Sequence, residues 1–159
     1  MKMGDVLKLY FGESNIPTPE YIKRAAAKAL EEGYTFYTEN AGLPGLRQGL
    51  ADYYRRVQDV DLDPRNEIVV TASGVQALNV TIRCVLNPGD EALVLTPAWP
   101  NSAANIWMDN AIPMEIRLLF RGDRYAVDLD SLEAAVTPRT RLLVYTSPSN
   151  PLGWVATED

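Results

Sequence analysis

Three short loops, each following an apolar segment, carry the residues of this chain that are best suited to binding a ligand. In residues 71–75, Ser73 and Gly74 precede a predicted helix, where backbone N–H groups and the helix dipole suit a phosphate. In residues 96–101, Trp99 lies between two prolines, and its flat indole can stack on a heteroaromatic ring. In residues 147–153, Asn150 is also flanked by prolines. Together the loops resemble the walls of a cofactor site.

Each loop also has a purely structural interpretation. Ser73-Gly74 lacks the glycine spacing of a dinucleotide site and the lysine of a Walker loop, so a plain turn is an alternative to phosphate binding. Trp99 can instead fill a core, and Asn150 suits ordinary turn chemistry. The coincidence of all three loops at successive strand ends favours one shared site.

The residue types that are missing exclude several kinds of chemistry. The chain has no histidine, which removes Ser-His-Asp and Cys-His catalysis and every His-ligated metal site. The single cysteine, Cys84, cannot form an internal disulfide, which fits a reducing compartment such as the cytoplasm. Its apolar, helical surroundings predict a small core residue rather than a reactive thiol. The acidic residues Asp59, Asp61 and Asp63 mimic the opening of a calcium loop but lack its later ligands, so we expect a solvated loop and no metal site.

The charge and hydropathy of the chain exclude other partners. A net charge of −6 with no basic patch argues against nucleic acid and against an anionic membrane surface. The longest apolar runs are far shorter than the roughly 20 residues that span a bilayer. No export signal is recognisable at the start of the sequence, so we expect a cytoplasmic location.

Changes of hydrophobic period along the chain predict alternating helices and strands. Thr18 is the expected cap of the first helix, with Pro19 at the first helical position. The pattern predicts helices over 21–32, from Pro44 onward and over 74–86, 101–110 and 129–136, and strands over 68–71, 91–96, 112–118 and 141–146. Strands separated by such helices indicate an α/β fold, a mostly parallel sheet with helices on both faces, preceded by N-terminal helical segments. Ligands of such sheets bind beyond the carboxyl ends of the strands, where the three loops fall.

Two further motifs complete a resemblance to a known family. Residues 9–13 read Leu-Tyr-Phe-Gly-Glu, and residues 37–47 read Tyr-Thr-Glu-Asn-Ala-Gly-Leu-Pro-Gly-Leu-Arg. With the three loops, they make the chain similar to the N-terminal part of a class I/II aminotransferase, a fold-type I enzyme that depends on pyridoxal 5′-phosphate. The resemblance implies that residues 1–36 belong to the small domain or its junction, and that residues 37–159 are an incomplete cofactor-binding large domain.

The resemblance implies a role for each matching residue. Tyr37 would reach across a homodimer interface to the partner's cofactor phosphate; its alternative is simple packing between two helices. The phosphate cup would consist of Ser73, Gly74 and Val75. Trp99 would stack on the pyridine ring, and Asn150 would hydrogen-bond its phenolic oxygen. Gly12, Trp99 and Asn150 would also lie beside the substrate.

The resemblance also implies residues that this sequence lacks. The lysines are Lys2, Lys8, Lys23 and Lys28, and none follows Asn150, whereas the family's cofactor-anchoring lysine lies beyond that loop. The family's aspartate for the pyridinium nitrogen and its substrate-binding arginines also lie downstream. Residues 157–159, Thr-Glu-Asp, resemble a helix start without its helix, which suggests truncation. We therefore expect no catalytic residue in this chain and an inactive fragment.

The parent protein is thus expected to transfer an amino group from an amino acid to a 2-oxo acid. Related lyase or decarboxylase chemistry uses the same cup, so it remains an alternative. The other alternative is a truncated, non-catalytic α/β module that binds phosphate or forms dimers. The amino donor and acceptor are not indicated by the sequence.

Overall fold

The order of helices and strands follows the alternation of the sequence. A computed structural model describes residues 12–157. The elements are α1 (Glu20–Glu31), α2 (Pro44–Gln58), α3 (Gly74–Val85), β1 (Glu91–Thr96), α4 (Asn101–Met108), β2 (Ile112–Arg117), β3 (Leu119–Phe120), β4 (Tyr125–Ala126), α5 (Leu129–Ala134) and β5 (Thr140–Val144).

Three of these strands form one parallel sheet. The strand order is β2-β1-β5, so β1 is central. Val94 of β1 lies opposite Glu115 of β2 and Val144 of β5. Because both neighbours run parallel to β1, the chain must cross over between them, and α4 and α5 lie in those connections. The expected α/β fold is confirmed.

The hydrophobic core lies between this sheet and helices α3 and α4. Ala92 and Val94 face that side of β1, and Ile82 of α3 and Ile106 of α4 are fully buried against them. Burying each isoleucine contributes about 1.5–3 kcal/mol of transfer free energy. This layer therefore packs α3 and α4 against one face of the sheet.

The opposite face of the sheet borders a cavity of about 940 Å³. Leu95 and Leu143 line it from the strands, since they alternate with the residues that face α3 and α4. Leu129 and Leu132 line it from α5. Helical elements therefore lie on both sides of the sheet, as expected.

Several local predictions were wrong. Residues 68–71 are not a strand, because a strand needs a hydrogen-bonded neighbour and the described backbone offers this segment one bond, from the Val70 amide to the Ala41 carbonyl at 2.9 Å. Thr18 does not cap α1, because Pro19 occupies the N-cap position and no side chain bonds there. Cys84 is exposed rather than buried, because it lies two residues, or about 200°, around the helix from Ile82.

Other predictions were incomplete or lie outside the described residues. The antiparallel hairpin of β3 and β4, between β2 and α5, was not predicted. The other helices and strands of the sheet begin within a residue of their expected positions. Residues 9–11 of the first family motif, and Glu158 and Asp159 of the expected helix start, fall outside 12–157.

Gly42 and Arg47 of the 37–47 motif connect the backbone that precedes α2 to the segment that follows it. Gly42 has a φ of +95°, and a Cβ at this position would lie 2.6 Å from the Cβ of Val70. The Arg47 guanidinium donates to the carbonyls of Gly42 at 3.1 Å and Pro64 at 2.9 Å. These contacts bring residues 41–42 against the segment that leads to Ser73.

Candidate functional site

The N-terminus of α3 is built by side-chain capping. Ser73 is its N-cap residue, and its hydroxyl oxygen accepts from the Gln76 amide at 3.2 Å. The Gln76 side chain accepts in return from the Ala72 amide at 2.7 Å, a variant of the capping box. The Thr71 hydroxyl donates to the Ser73 carbonyl at 2.9 Å. Ser73 is therefore a structural residue of this turn, and its hydroxyl hydrogen is still available to a ligand.

Two amides of the first helical turn point out of α3. Within residues 12–157, the N–H groups of Gly74 and Val75 have no hydrogen-bond acceptor. The helix dipole places about half a positive charge at this end, so these donors suit an anion.

The loop after β1 carries Trp99 directly into α4. The Trp99 carbonyl accepts from the Ser102 amide at 3.3 Å, and the Pro100 carbonyl accepts from the Ala104 amide at 3.0 Å. The side chain is 39% exposed, so Trp99 does not fill the core. Its ring is available as a stacking surface at the carboxyl end of β1.

The loop after β5 holds Asn150 in a turn that is closed by Ser149 and Trp154. The Ser149 amide donates to the Trp154 carbonyl at 2.8 Å, and the Ser149 carbonyl accepts from Gly153 at 2.7 Å. The Trp154 ring meets Tyr145 edge to face, with centroids 6.0 Å apart. Within the described chain the Asn150 side chain makes no hydrogen bond, which leaves its amide available. The positioning roles of Ser149 and Trp154 were not predicted from the sequence.

Two of the three loops meet at one small cavity. It measures about 10 Å³, enough for roughly one water, so a larger ligand would lie outside it. Among its lining residues are Ala98 and Ser102 from the β1 side, and Ser149, Asn150 and Trp154 from the β5 side. Trp99 adjoins this cavity in sequence but does not line it.

The other predicted site residues lie apart from this cavity. The Ser73–Val75 turn does not line it; α3 approaches the second loop through its packing on α4. Tyr37 is fully exposed, so it does not pack between two helices. Gly12 is exposed, and no described atom lies within 4 Å of where its Cβ would be.

Among residues 12–157, the two carboxyls with shifted pKa values lie in structural networks. Glu91, at the amino end of β1, is buried and accepts from the Thr137 hydroxyl at 2.5 Å and from the Arg139 Nε at 2.8 Å. The Thr137 hydroxyl, followed by Arg139, holds the pKa of Glu91 below its usual range. Hydrogen bonds from the Arg65 amide and the Asn66 side chain likewise lower the pKa of Asp63.

The acidic loop around Asp63 forms turn contacts. Asp61 pairs with Arg55. Across residues 12–157 there is no group of three or more His, Cys, Asp or Glu side chains placed to hold a metal ion.

The fold and these loops define an α/β domain whose candidate site lies at the carboxyl edge of a parallel sheet. The family model "Aminotransferase class I and II" matches residues 5–159. The chain therefore belongs to the class I and II aminotransferase family.

Individual relatives agree with this assignment. The chain is 38% identical over 151 residues to the aspartate/prephenate aminotransferase of Thermus thermophilus, covering 95% of this chain and 39% of that protein. A solved structure described as Pyrococcus protein-A1 matches with a TM-score of 0.91 and 35% identity, over 98% of this chain and 40% of that one. The aromatic aminotransferase of Pyrococcus horikoshii matches with a TM-score of 0.87 and 34% identity, over 93% and 39%. The chain thus spans about two fifths of the length of these relatives.

No helix among residues 12–157 has the length and apolar character needed to cross a membrane.

Proposed function

We propose that this chain is part of a pyridoxal 5′-phosphate-dependent aminotransferase, which transfers an amino group from an amino acid to a 2-oxo acid. The observation that carries this proposal is the family match over residues 5–159, because it includes all three loops of the candidate site. We propose only the class of substrates, amino acids and 2-oxo acids. The named relatives differ in their substrates, since one is an aspartate/prephenate aminotransferase and another is an aromatic aminotransferase.

The donors at the start of α3 fit the phosphate of this cofactor. The amides of Gly74 and Val75 would bind its oxygens, and the Ser73 hydroxyl would donate a third hydrogen bond while its oxygen continues to cap the helix. A phosphate dianion at this position also interacts favourably with the helix dipole.

The other two loops fit the ring of the cofactor. The exposed face of Trp99 would orient the ring by stacking, and the Asn150 amide would donate to the phenolic oxygen. This hydrogen bond favours the ionised form of the oxygen and so lowers its pKa. When bound, the cofactor supplies an electron-withdrawing ring that stabilises negative charge on the substrate. Trp99, Asn150 and Gly12 would border the substrate.

The groups that hold and move the proton are proposed to lie outside this chain. The two lysines in the described part, Lys23 and Lys28, lie on α1, where their ammonium groups are 2.7 Å from Glu20 and 3.6 Å from Glu32. Both pairs are on the exposed surface of that helix, remote in sequence from the three loops. We therefore propose no catalytic residue here and no activity for the isolated chain.

A second copy of the protein is proposed to complete the site. Tyr37 is fully exposed, and its neighbours Phe36 and Tyr34 are 88% and 69% exposed. Such a run of aromatic side chains is suited to burial against a partner. We propose that it docks on a second subunit, with Tyr37 at that subunit's cofactor phosphate. Residues 1–36 would belong to the small domain or its junction, which is consistent with α1 having no buried residue.

The proposed location is the cytoplasm, because the single cysteine of this sequence suits a reducing compartment. Neither a nucleic acid nor a membrane surface is proposed as a partner, given the net charge of −6.

The test compares this chain alone with the full-length protein encoded by its reading frame. Each is incubated with pyridoxal 5′-phosphate, a panel of ¹⁵N-labelled amino acids and 2-oxo acids, and the label is followed by mass spectrometry. We expect label transfer by the full-length protein and none by the chain alone. Release of ammonia or carbon dioxide without transfer would indicate lyase or decarboxylase chemistry. Phosphate binding without any turnover by the full-length protein would indicate a non-catalytic module.

A further inference from the structure

A pair of asparagines links the two helices that begin at the first and second loops. The Asn79 side-chain amide of α3 donates to the Asn105 side-chain oxygen of α4 at 2.8 Å. The Asn105 amide donates in turn to the Asn101 carbonyl, also at 2.8 Å. The two bonds form a continuous chain from α3 to the first residue of α4.

This chain of hydrogen bonds lies within the apolar layer between the helices. Asn105 is 5% exposed, and the next residue, Ile106, is fully buried, as is Ile82 one turn after Asn79. A buried amide that loses its partner is costly, and hydrogen bonds are directional where apolar contacts are not. The pair therefore specifies one relative position of the two helices, which the isoleucines alone do not require.

The relative position of α3 and α4 affects the candidate site, because both helices begin at its loops. Helix α3 starts with the free amides of Gly74 and Val75, and Asn101 follows Trp99 by two residues. The Asn101 carbonyl is thus a point at which the start of α4, and with it Trp99, is tied to α3.

We propose that Asn79 and Asn105 are positioning residues that fix the Trp99 ring relative to the phosphate-binding amides of α3. This inference rests on the proposed function, since the ligand that needs this spacing is a planar ring bearing a phosphate. The pair acts through Trp99 and does not touch the cofactor.

The test uses the full-length protein and the variants Asn105→Leu and Asn79→Ala. Asn105→Leu keeps a similar volume without hydrogen bonds, and Asn79 is only partly buried, so its truncation is the milder change. We expect the dissociation constant for pyridoxal 5′-phosphate to rise about tenfold in each variant. Combined with Trp99→Ala, neither variant should weaken binding further, because the pair acts through that ring.

The matched control is Ile82→Val, which removes a methyl group from the same interface without touching the hydrogen bonds. It should lower the unfolding temperature and leave cofactor affinity unchanged. Unchanged affinity in Asn79→Ala, or an effect that adds fully to that of Trp99→Ala, would overturn the proposal.

A second measurement does not depend on the cofactor. In ligand-free protein labelled with 5-fluorotryptophan, the ¹⁹F resonance of Trp99 is assigned with Trp99→Phe. We expect Asn79→Ala to shift this resonance and to leave that of Trp154 in place. A shift without cofactor binding by the wild type would support the positioning role and contradict the proposed function, whereas an unmoved Trp99 resonance would contradict the positioning role itself.

Discussion

The hydroxyl oxygen of Ser149 accepts a hydrogen bond from the backbone amide of Trp154 at 3.1 Å, while the Ser149 amide donates to the Trp154 carbonyl at 2.8 Å. These reciprocal bonds close the turn that contains Asn150. Because the Asn150 side chain has no hydrogen bond of its own in the described chain, its placement depends on this closure. The closed turn thus supports an amide that has no hydrogen-bond partner within the described chain.

We expect Ser149→Ala to loosen this support. Loss of one hydrogen bond of this kind costs about 1 kcal/mol, so the cofactor affinity of the full-length protein should fall by about fivefold. Equilibrium titration with pyridoxal 5′-phosphate measures the change. Ser147→Ala is the control, because the Ser147 side chain has no hydrogen bond among residues 12–157. Equal affinities for the two variants would show that the closure does not position Asn150.

Replacing Asn150 itself should change the electronic state of the bound cofactor. If its amide donates to the phenolic oxygen, Asn150→Ala removes a donor to the ionised form, and the pKa of the bound chromophore should rise. A spectrophotometric pH titration of the full-length protein measures this value. Trp99→Ala is the contrasting variant, expected to weaken cofactor retention by about 1–3 kcal/mol through lost stacking and packing. An unshifted pKa in the Asn150 variant, together with full retention in the Trp99 variant, would mean that both are ordinary loop positions.

Gly42 offers a stability test that is independent of the cofactor. Gly42→Ala forces a side chain into the left-handed region, which costs about 1–2 kcal/mol, and its Cβ would also meet Val70. The variant should therefore unfold at lower denaturant concentration. Gly49→Ala is the matched control, because Gly49 lies in α2 with nothing within 4 Å of the added Cβ. That change should stabilise the protein by about 0.5–1 kcal/mol, and chemical unfolding curves with the same sign for both variants would refute this account.

The parts of the fold that the sequence predicts well are those with strong local signals. The continuous apolar run of β1 is typical of a strand buried on both faces, and its bounds agree with those predicted. Helix α3 was predicted to begin at Gly74, where it does begin, and the preceding Ser73 is a residue type that favours helix N-caps. Residues 68–71 have the same composition as a strand, but strand formation depends on a neighbour, which composition does not encode.

In the candidate site, too, some features can be predicted from the sequence and others cannot. Trp99 and Asn150 stand out by residue type, whereas the Ser149–Trp154 closure joins two residues across a turn through backbone groups that every residue carries. The Asn79–Asn105 bond joins residues 26 positions apart, and only tertiary packing brings them together. Neither contact has a sequence pattern from which it can be predicted.

The buried carboxylate of Glu91 predicts an acid-dependent loss of stability. Its ordinary pKa is 4.5, and hydrogen bonds from Thr137 and then Arg139 lower this value in the folded state. The folded protein therefore binds the proton less readily than the unfolded chain, so the ionised network stabilises the fold above pH 4.5. That contribution is lost as the pH falls from this value through the lower, folded pKa.

We expect Glu91→Gln to remove this contribution. The difference in unfolding free energy between wild type and variant should be largest near neutral pH and should shrink on acidification below pH 4.5, as followed by urea unfolding across a pH series. Glu115→Gln, at an exposed position of β2, serves as the control for loss of a carboxylate. Only the ionised carboxylate of Glu91 is stabilised by the donors on both Thr137 and Arg139. If the difference in unfolding free energy between wild type and Glu91→Gln stays constant with pH, Glu91 therefore acts through the shape of its side chain and not through its charge.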